Sequence, residues 1–156
     1  MLHLVNHTAA KSMMFLLAGR VQQRYRSTEI VETPGLIRTM PVTAGFFAAG
    51  VFAIAGLPPF GLFISEFALV RAGFAAGRVW LMGAVLALLV VAFIALVTHL
   101  NRMLYGTPPE STTVGEDAPW ALAPIGLCVV ILVILGVALP APVSRLLHKV
   151  VEIAAP

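Results

Sequence analysis

Residues 56–67 read GLPPFGLFISEF, and the interpretation of this stretch decides the fold. Pro58 and Pro59 interrupt a long apolar run, and Glu66 is the only acid in the chain that lies inside an apolar segment. Proline inside a helix removes a backbone hydrogen bond and clashes with the preceding turn, at a cost of about 3 kcal/mol. In lipid, the carbonyls freed by that break must find partners within the protein. A helix break beside a buried carboxylate is therefore costly twice over, and such features mark ion or substrate paths.

Working outward, 60% of the 156 residues are hydrophobic and 11% are charged, where a soluble domain carries roughly a quarter charged residues. With a mean hydropathy of +0.97, this is the composition of an all-α integral membrane protein. The net charge of +3 reads as loop charge, because most of the arginines sit beside apolar runs; no nucleic-acid partner is expected. The single cysteine, Cys128, excludes a disulfide framework and a four-cysteine iron–sulfur site built from this chain alone. The sequence contains no phosphate-binding glycine loop, no GxSxG and no HExxH. No cofactor or metal is expected on this chain, and any redox step belongs to another subunit.

Five membrane spans are predicted, at residues 2–19, 41–57, 61–77, 79–104 and 120–139, with Gly19 ending the first. Residues 41–77 as one helix would measure about 55 Å, well beyond a hydrocarbon core of about 30 Å, so they are taken as two spans. A simple hairpin at the proline pair leaves Glu66 about two turns below one surface. A second helix broken near mid-membrane places it deep. Between spans one and two, Pro34-Gly35 marks a turn and a short hairpin. Trp80 and Tyr105 are positioned as interfacial anchors, and Gly45, Gly50 and Gly56 as close helix contacts. Residues 143–153 carry Val143, Leu146, Leu147, Val150 and Val151 on one face, the pattern of an amphipathic helix lying on the membrane surface. The start, directly inside an apolar run, reads as the later part of a longer protein.

The first span holds His3, His7 and Lys11 at steps of four, which drift by only about 40° per step and form one stripe. Three titratable groups on one intramembrane stripe suit proton transfer, since histidine titrates near neutral pH. The bland readings are a packed histidine bonded to a carbonyl, or a boundary residue in the case of His3. A two-histidine metal site lacks a third ligand. Glu66 is expected to work with Lys11. Arg71, five residues on, lies about 140° around the helix and is a secondary candidate, as is His99. Pro58, Pro59 and Gly61 form the break.

HLVNHTAAKSMMFLLAG, then GLIRTMPVT, then AIAGLPPFGLFISEF resemble the proton-antiporter-like membrane subunits of complex I, group 4 hydrogenases and Mrp antiporters. PPFGLFISEF most resembles hydrogenase-4 component F. The resemblance covers the last helices of a larger subunit. It implies a proton-translocating, non-redox subunit in which His3, His7 and Lys11 occupy the central hydrophilic axis. Glu66 would occupy the exit-side proton site, deep at a broken helix. The implied partners are other membrane subunits, with iron–sulfur and nickel–iron or flavin subunits further off, in a prokaryotic inner membrane. A stand-alone Mrp-type antiporter subunit and an inactive structural fragment are the alternatives. With five spans, Arg20, Arg24, Arg26, Arg38, Arg78, Arg145 and Lys149 share one side and Arg102 the other. By charge the heavier side is cytoplasmic. The resemblance places the Pro34-Gly35 hairpin and terminal helix on the outer face, and we follow the resemblance.

Overall fold

The computed structural model describes residues 2–110, 112–138 and 145–146. Its regular elements are helices: α1 (Leu2–Tyr25), α2 (Leu36–Thr39), α3 (Pro41–Ile54), α4 (Gly61–Ala75), α5 (Val79–Leu104) and α6 (Ala123–Val137). Short 3₁₀ turns occupy Ile30–Glu32 and Pro119–Leu122, and no strand occurs among the described residues. Two stretches, Val79–Leu104 and Pro119–Val137, are individually long and apolar enough to cross a bilayer. The surface helix expected over 143–153 lies outside the described residues, apart from Arg145 and Leu146.

α1 runs through Gly19 and on to Tyr25, so Gly19 does not end it. Nothing lies within 4 Å of a β-carbon placed on Gly19, and no turn geometry is needed there. The face that α1 buries is Asn6, Ala10, Met13, Leu17 and Val21, one stripe at helical spacing. The hairpin expected at Pro34-Gly35 is instead a 3₁₀ turn followed by the single helical turn α2. Gly35 (φ 75°) supplies the left-handed residue between them.

α3 starts on Pro41, whose missing N–H is no loss at a first helical position. It ends through Gly56 rather than at the proline pair. Gly56 (φ 68°) donates to Ala53 O at 3.2 Å, and Leu57 N–H donates to Phe52 O at 3.1 Å. These are the paired bonds of a Schellman stop, after which proline is common because it cannot continue the helix. The same pair of bonds, from Gly77 to Phe74 O and from Arg78 to Gly73 O, closes α4. The Pro58-Pro59 peptide is cis, and α4 restarts at Gly61.

The register along α1 decides how α3 and α4 lie. Arg20 meets Thr43, Met13 and Met14 meet Gly50, Asn6 meets Gly61, and His3 meets Ser65. The order is continuous and antiparallel, so α3 and α4 follow each other end to end along α1. α6 tells the same story in parallel: Gly126 faces Phe46, and Gly136 faces the backbone of Pro59, Phe60 and Gly61. At 1.5 Å per residue α3 is about 21 Å long and α4 about 22 Å, each short of a core of about 30 Å.

The loops confirm this arrangement. Gly35 N–H donates to Tyr105 O at 3.2 Å, and Gly115 N–H donates to Thr39 O at 2.8 Å. The segments before α3 and after α5 therefore share one end of the bundle. Two separate spans at 41–57 and 61–77 would put them at opposite ends, so the five-span count is not confirmed. Its source was length: the pair exceeds one straight crossing, and the sequence does not show that the two halves are collinear and staggered by a break. Arg102 accordingly joins Arg20, Arg24, Arg26 and Arg38 at one end, and Arg78 lies at the other.

Packing is built on small residues, as expected where lipid supplies no hydrophobic drive between helices. Gly50 accommodates Met13 and Met14, Gly73 accommodates Met82, and Gly136 touches bare backbone. Gly45 is different: nothing lies within 4 Å of it, so it is no contact glycine. α5 folds back on α4 and leaves most of its length exposed, including Trp80 and Leu88.

Candidate functional site

The break between α3 and α4 lies about midway along the broken helix, and His3, His7 and Glu66 gather beside it from α1 and α4. Glu66 is the sixth residue of α4, about 15 Å from the far end of that helix. Its carboxylate lies over Gly56, where a β-carbon would overlap Glu66 Oε2. Gly56 thus serves twice, as the left-handed stop of α3 and as the floor under the carboxylate. Beside Glu66 a groove of 370 Å³ opens between α4 and α5, lined by Leu57, Phe63, Phe67, Leu86, Leu89 and Phe93 among others. Glu66 is its only charged lining residue.

On α1, His3 and His7 stack with ring centroids 5.8 Å apart. His3 Nδ1 reaches Ser65 Oγ at 3.0 Å, directly beside Glu66 in sequence. The Ser65 hydroxyl in turn donates to Leu62 O at 2.8 Å, within its own helix. His3, Ser65 and Glu66 are therefore gathered on one side of the break, with His7 stacked behind His3. Lys11 lies one turn further along the stripe, exposed on the flank of α1. Among the described residues it makes no ion pair with Glu66, and neither does Arg71. His99 is exposed near the end of α5, apart from this cluster. Pro58 and Pro59 are exposed at the break, whereas Gly61 is buried.

Sequence reasoning missed two residues here. Ser65 was visible only as the neighbour of Glu66. Asn6 is fully buried on the apolar stripe of α1, and its amide lies across Gly61 at the start of α4. The signal was a polar residue in register with Ala10, Met13 and Leu17.

A second polar cluster sits at the other end of the bundle. The Glu116 carboxylate accepts Thr43 N–H at 2.8 Å, the Thr43 hydroxyl at 2.6 Å and Arg20 Nη2 at 3.1 Å. This caps α3, whose N-cap residue Met40 offers no capping side chain. Burial pushes the Glu116 carboxyl up, but the Thr43 hydrogen bonds and the Arg20 guanidinium outweigh it and hold the carboxyl below its ordinary value. Arg24, nearly buried, bridges Thr113 O and Asp117, each at 2.7 Å. Two arginines of α1 thus strap the loop after α5 to the start of α3.

Among the described residues, no group of three or more histidine, cysteine or acidic side chains is placed to hold a metal. The central cluster brings a titratable histidine pair and a carboxylate together on one side of a helix break.

A family model described as NADH:quinone oxidoreductase/Mrp antiporter, TM, matches residues 1–94, which include His3, His7, Lys11, the proline pair and Glu66. The chain is 38% identical over 109 residues to a hydrogenase-4 component F homolog of Methylacidiphilum infernorum, covering 69% of this chain and 22% of that protein. It is 28% identical over 137 residues to a Na(+)/H(+) antiporter subunit of Alkalihalophilus pseudofirmus, covering 88% and 27%. It is 28% identical over 153 residues to an NADH-quinone oxidoreductase subunit of Mycobacterium tuberculosis, covering 97% and 27%. The chain spans about a quarter of the length of these curated relatives.

Proposed function

The chain belongs to the NADH:quinone oxidoreductase/Mrp antiporter family of transmembrane domains, and from that premise we propose that it forms part of a proton-translocating, non-redox membrane subunit of a multi-subunit oxidoreductase. The observation that carries the reading is the His3–Ser65 contact beside Glu66, which brings the titratable stripe of α1 to the carboxylate of α4 at the break. Protons move along His3, His7, Lys11 and Glu66, driven by electron transfer in partner subunits. A group 4 hydrogenase is the favoured setting, supported by the relative of that name. Its partners are other membrane subunits, with iron–sulfur and nickel–iron or flavin subunits further off, in a prokaryotic inner membrane.

Within this reading the chain crosses the bilayer four times, through α1, the broken pair α3 and α4, α5, and the stretch ending in α6. The break is what makes a mid-membrane carboxylate tolerable: it opens backbone polar groups and a groove at the same depth.

Replacing Glu66 with glutamine in the intact protein tests the reading. Proton movement should fall by about a hundredfold while electron transfer in the partner subunits proceeds, because glutamine keeps the shape and loses the titration. Unchanged proton movement would remove Glu66 from the mechanism.

The antiporter reading is the alternative, supported by the Na(+)/H(+) antiporter relative. Reconstitution without redox partners separates the two. Sodium-driven proton movement in such vesicles supports the antiporter, and its absence supports the redox-coupled subunit.

A further inference from the structure

α1 meets the start of α6 along a groove of 400 Å³ that changes character along its length. Its inner part is apolar, walled by Phe15 and Leu16 from α1 and by Ile125 from α6, and Trp120 stands exposed on its lip. Its outer part is polar. Gln23 and Asp117 line it, and an adjoining shallow hollow adds Gln22 and Arg26. Phe15 to Gln23 is about 12 Å along the helix, enough to run from the outer hydrocarbon through the headgroup layer of a bilayer. Exposed tryptophan marks that boundary in membrane proteins. Gly19 forms the floor that the groove and the hollow share. Nothing lies within 4 Å of a β-carbon placed on it, so no contact among the described residues calls for glycine there, and glycine weakens a helix interior. The missing side chain leaves room for an occupant.

The charges at the polar end select that occupant. Arg20 is paired with Glu116 and Arg24 with Asp117, so neither guanidinium is left to hold an anion. Arg26 is exposed and makes no ion pair among the described residues. It also takes the left-handed position (φ 55°) that ends α1, where glycine is usual. The Asp117 side chain stays 79% exposed although one oxygen bonds the Arg24 guanidinium, so its other oxygen is open to a donor. The last carbonyls of α1 add partial negative charge at the same end. One cation, one open carboxylate oxygen and a negative helix terminus suit a headgroup of both signs better than an anionic one.

We propose that this groove holds a zwitterionic glycerophospholipid whose headgroup carries a primary ammonium. One acyl chain lies over Gly19 between Leu16 and Ile125. The phosphodiester takes hydrogen bonds from Arg26 and the Gln23 amide, and the ammonium donates to Asp117. The lipid seats the end of the bundle where Arg20 and Arg24 strap the loop after α5 to the start of α3. The site is separate from the proton path and stands or falls independently of it.

The test uses the intact protein, purified in mild detergent and stripped of lipid, and counts bound lipid by native mass spectrometry. Phosphatidylethanolamine, phosphatidylcholine and phosphatidylglycerol with the same acyl chains are the probes. The native protein should hold phosphatidylethanolamine about tenfold more tightly than phosphatidylglycerol, and also than phosphatidylcholine, whose quaternary nitrogen has no N–H to donate. Gly19→Leu fills the floor in open space with a better helix former, so it should fold and bind about tenfold more weakly. Equal binding by the native protein and Gly19→Leu overturns the site, and a preference for phosphatidylglycerol overturns the headgroup. A benzophenone-bearing residue in place of Phe15, illuminated in native membranes, should cross-link to lipid. A cross-link to polypeptide instead would place a protein segment in the groove and overturn the lipid assignment.

Discussion

His3 Nδ1 lies 3.0 Å from Ser65 Oγ and ties the first turn of α1 to the second turn of α4. Ser65 has one proton, and it is directed to Leu62 O at 2.8 Å. The Ser65 oxygen therefore accepts from His3, which places the proton of neutral His3 on Nδ1. Nitrogen-15 NMR of the labelled protein should show the Nδ1–H tautomer, with the preference lost in Ser65→Ala. A dominant Nε2–H tautomer in the native protein would contradict the assignment.

Glu116 gives a pH dependence with a definite sign. Its carboxyl is held below the ordinary value of 4.5 in the fold, so the unfolded chain binds the proton more readily. The stabilisation is fully present above about pH 4.5 and is lost as pH falls through the lower folded value. Thermal unfolding in mild detergent should show Tm dropping over that acid range. Glu116→Gln should lower stability by about 1–3 kcal/mol at neutral pH and flatten the acid dependence, since its amide presents a donor to the Thr43 and Arg20 donors. An acid-induced drop of equal size in Glu116→Gln would assign the effect elsewhere.

Glycine positions divide by what surrounds them. A β-carbon on Gly136 would strike the Pro59 carbonyl oxygen and the backbone of Phe60 and Gly61, none of which can rotate away. Gly136→Ala should therefore cost about 1–3 kcal/mol, the range for overpacking. Gly45→Ala meets open space inside α3 and should stabilise by about 0.5–1 kcal/mol. Unfolding midpoints of the two variants should move in opposite directions, and a shared direction would refute the packing described.

Much of the site was legible because its signals are local. The His3–His7–Lys11 stripe follows from spacing on one helix, and Glu66 stands out as the one acid in an apolar run. The start of α3 at Pro41 is likewise encoded within its own first turn. What the sequence could not reveal depends on neighbours distant in the chain. The collinearity of α3 and α4 becomes visible only when Thr43, Gly50, Gly61 and Ser65 are seen to meet α1 in order. Glu116 caps a helix whose start is 75 residues earlier in the chain, and no motif spans such a gap. Gly56 shows the same limit: its left-handed stop is a local signal, but its contact with Glu66 is tertiary. Gly19 misled because a lone glycine in a helix costs only about 1 kcal/mol, which the packing of Leu17 and Val21 on either side overrides.

The central claim is that the α1 histidines and the α4 carboxylate form one proton path beside the break. A double-mutant cycle on proton movement, using His3→Gln, Glu66→Gln and the double variant in the intact protein, tests it most directly. Residues acting in series on one path are not independent, so their losses should not multiply. Each single substitution should slow proton movement by about a hundredfold, and the double variant should be no slower than the slower single. Losses that multiply in the double variant, or a His3→Gln protein that moves protons at the native rate, would contradict the account.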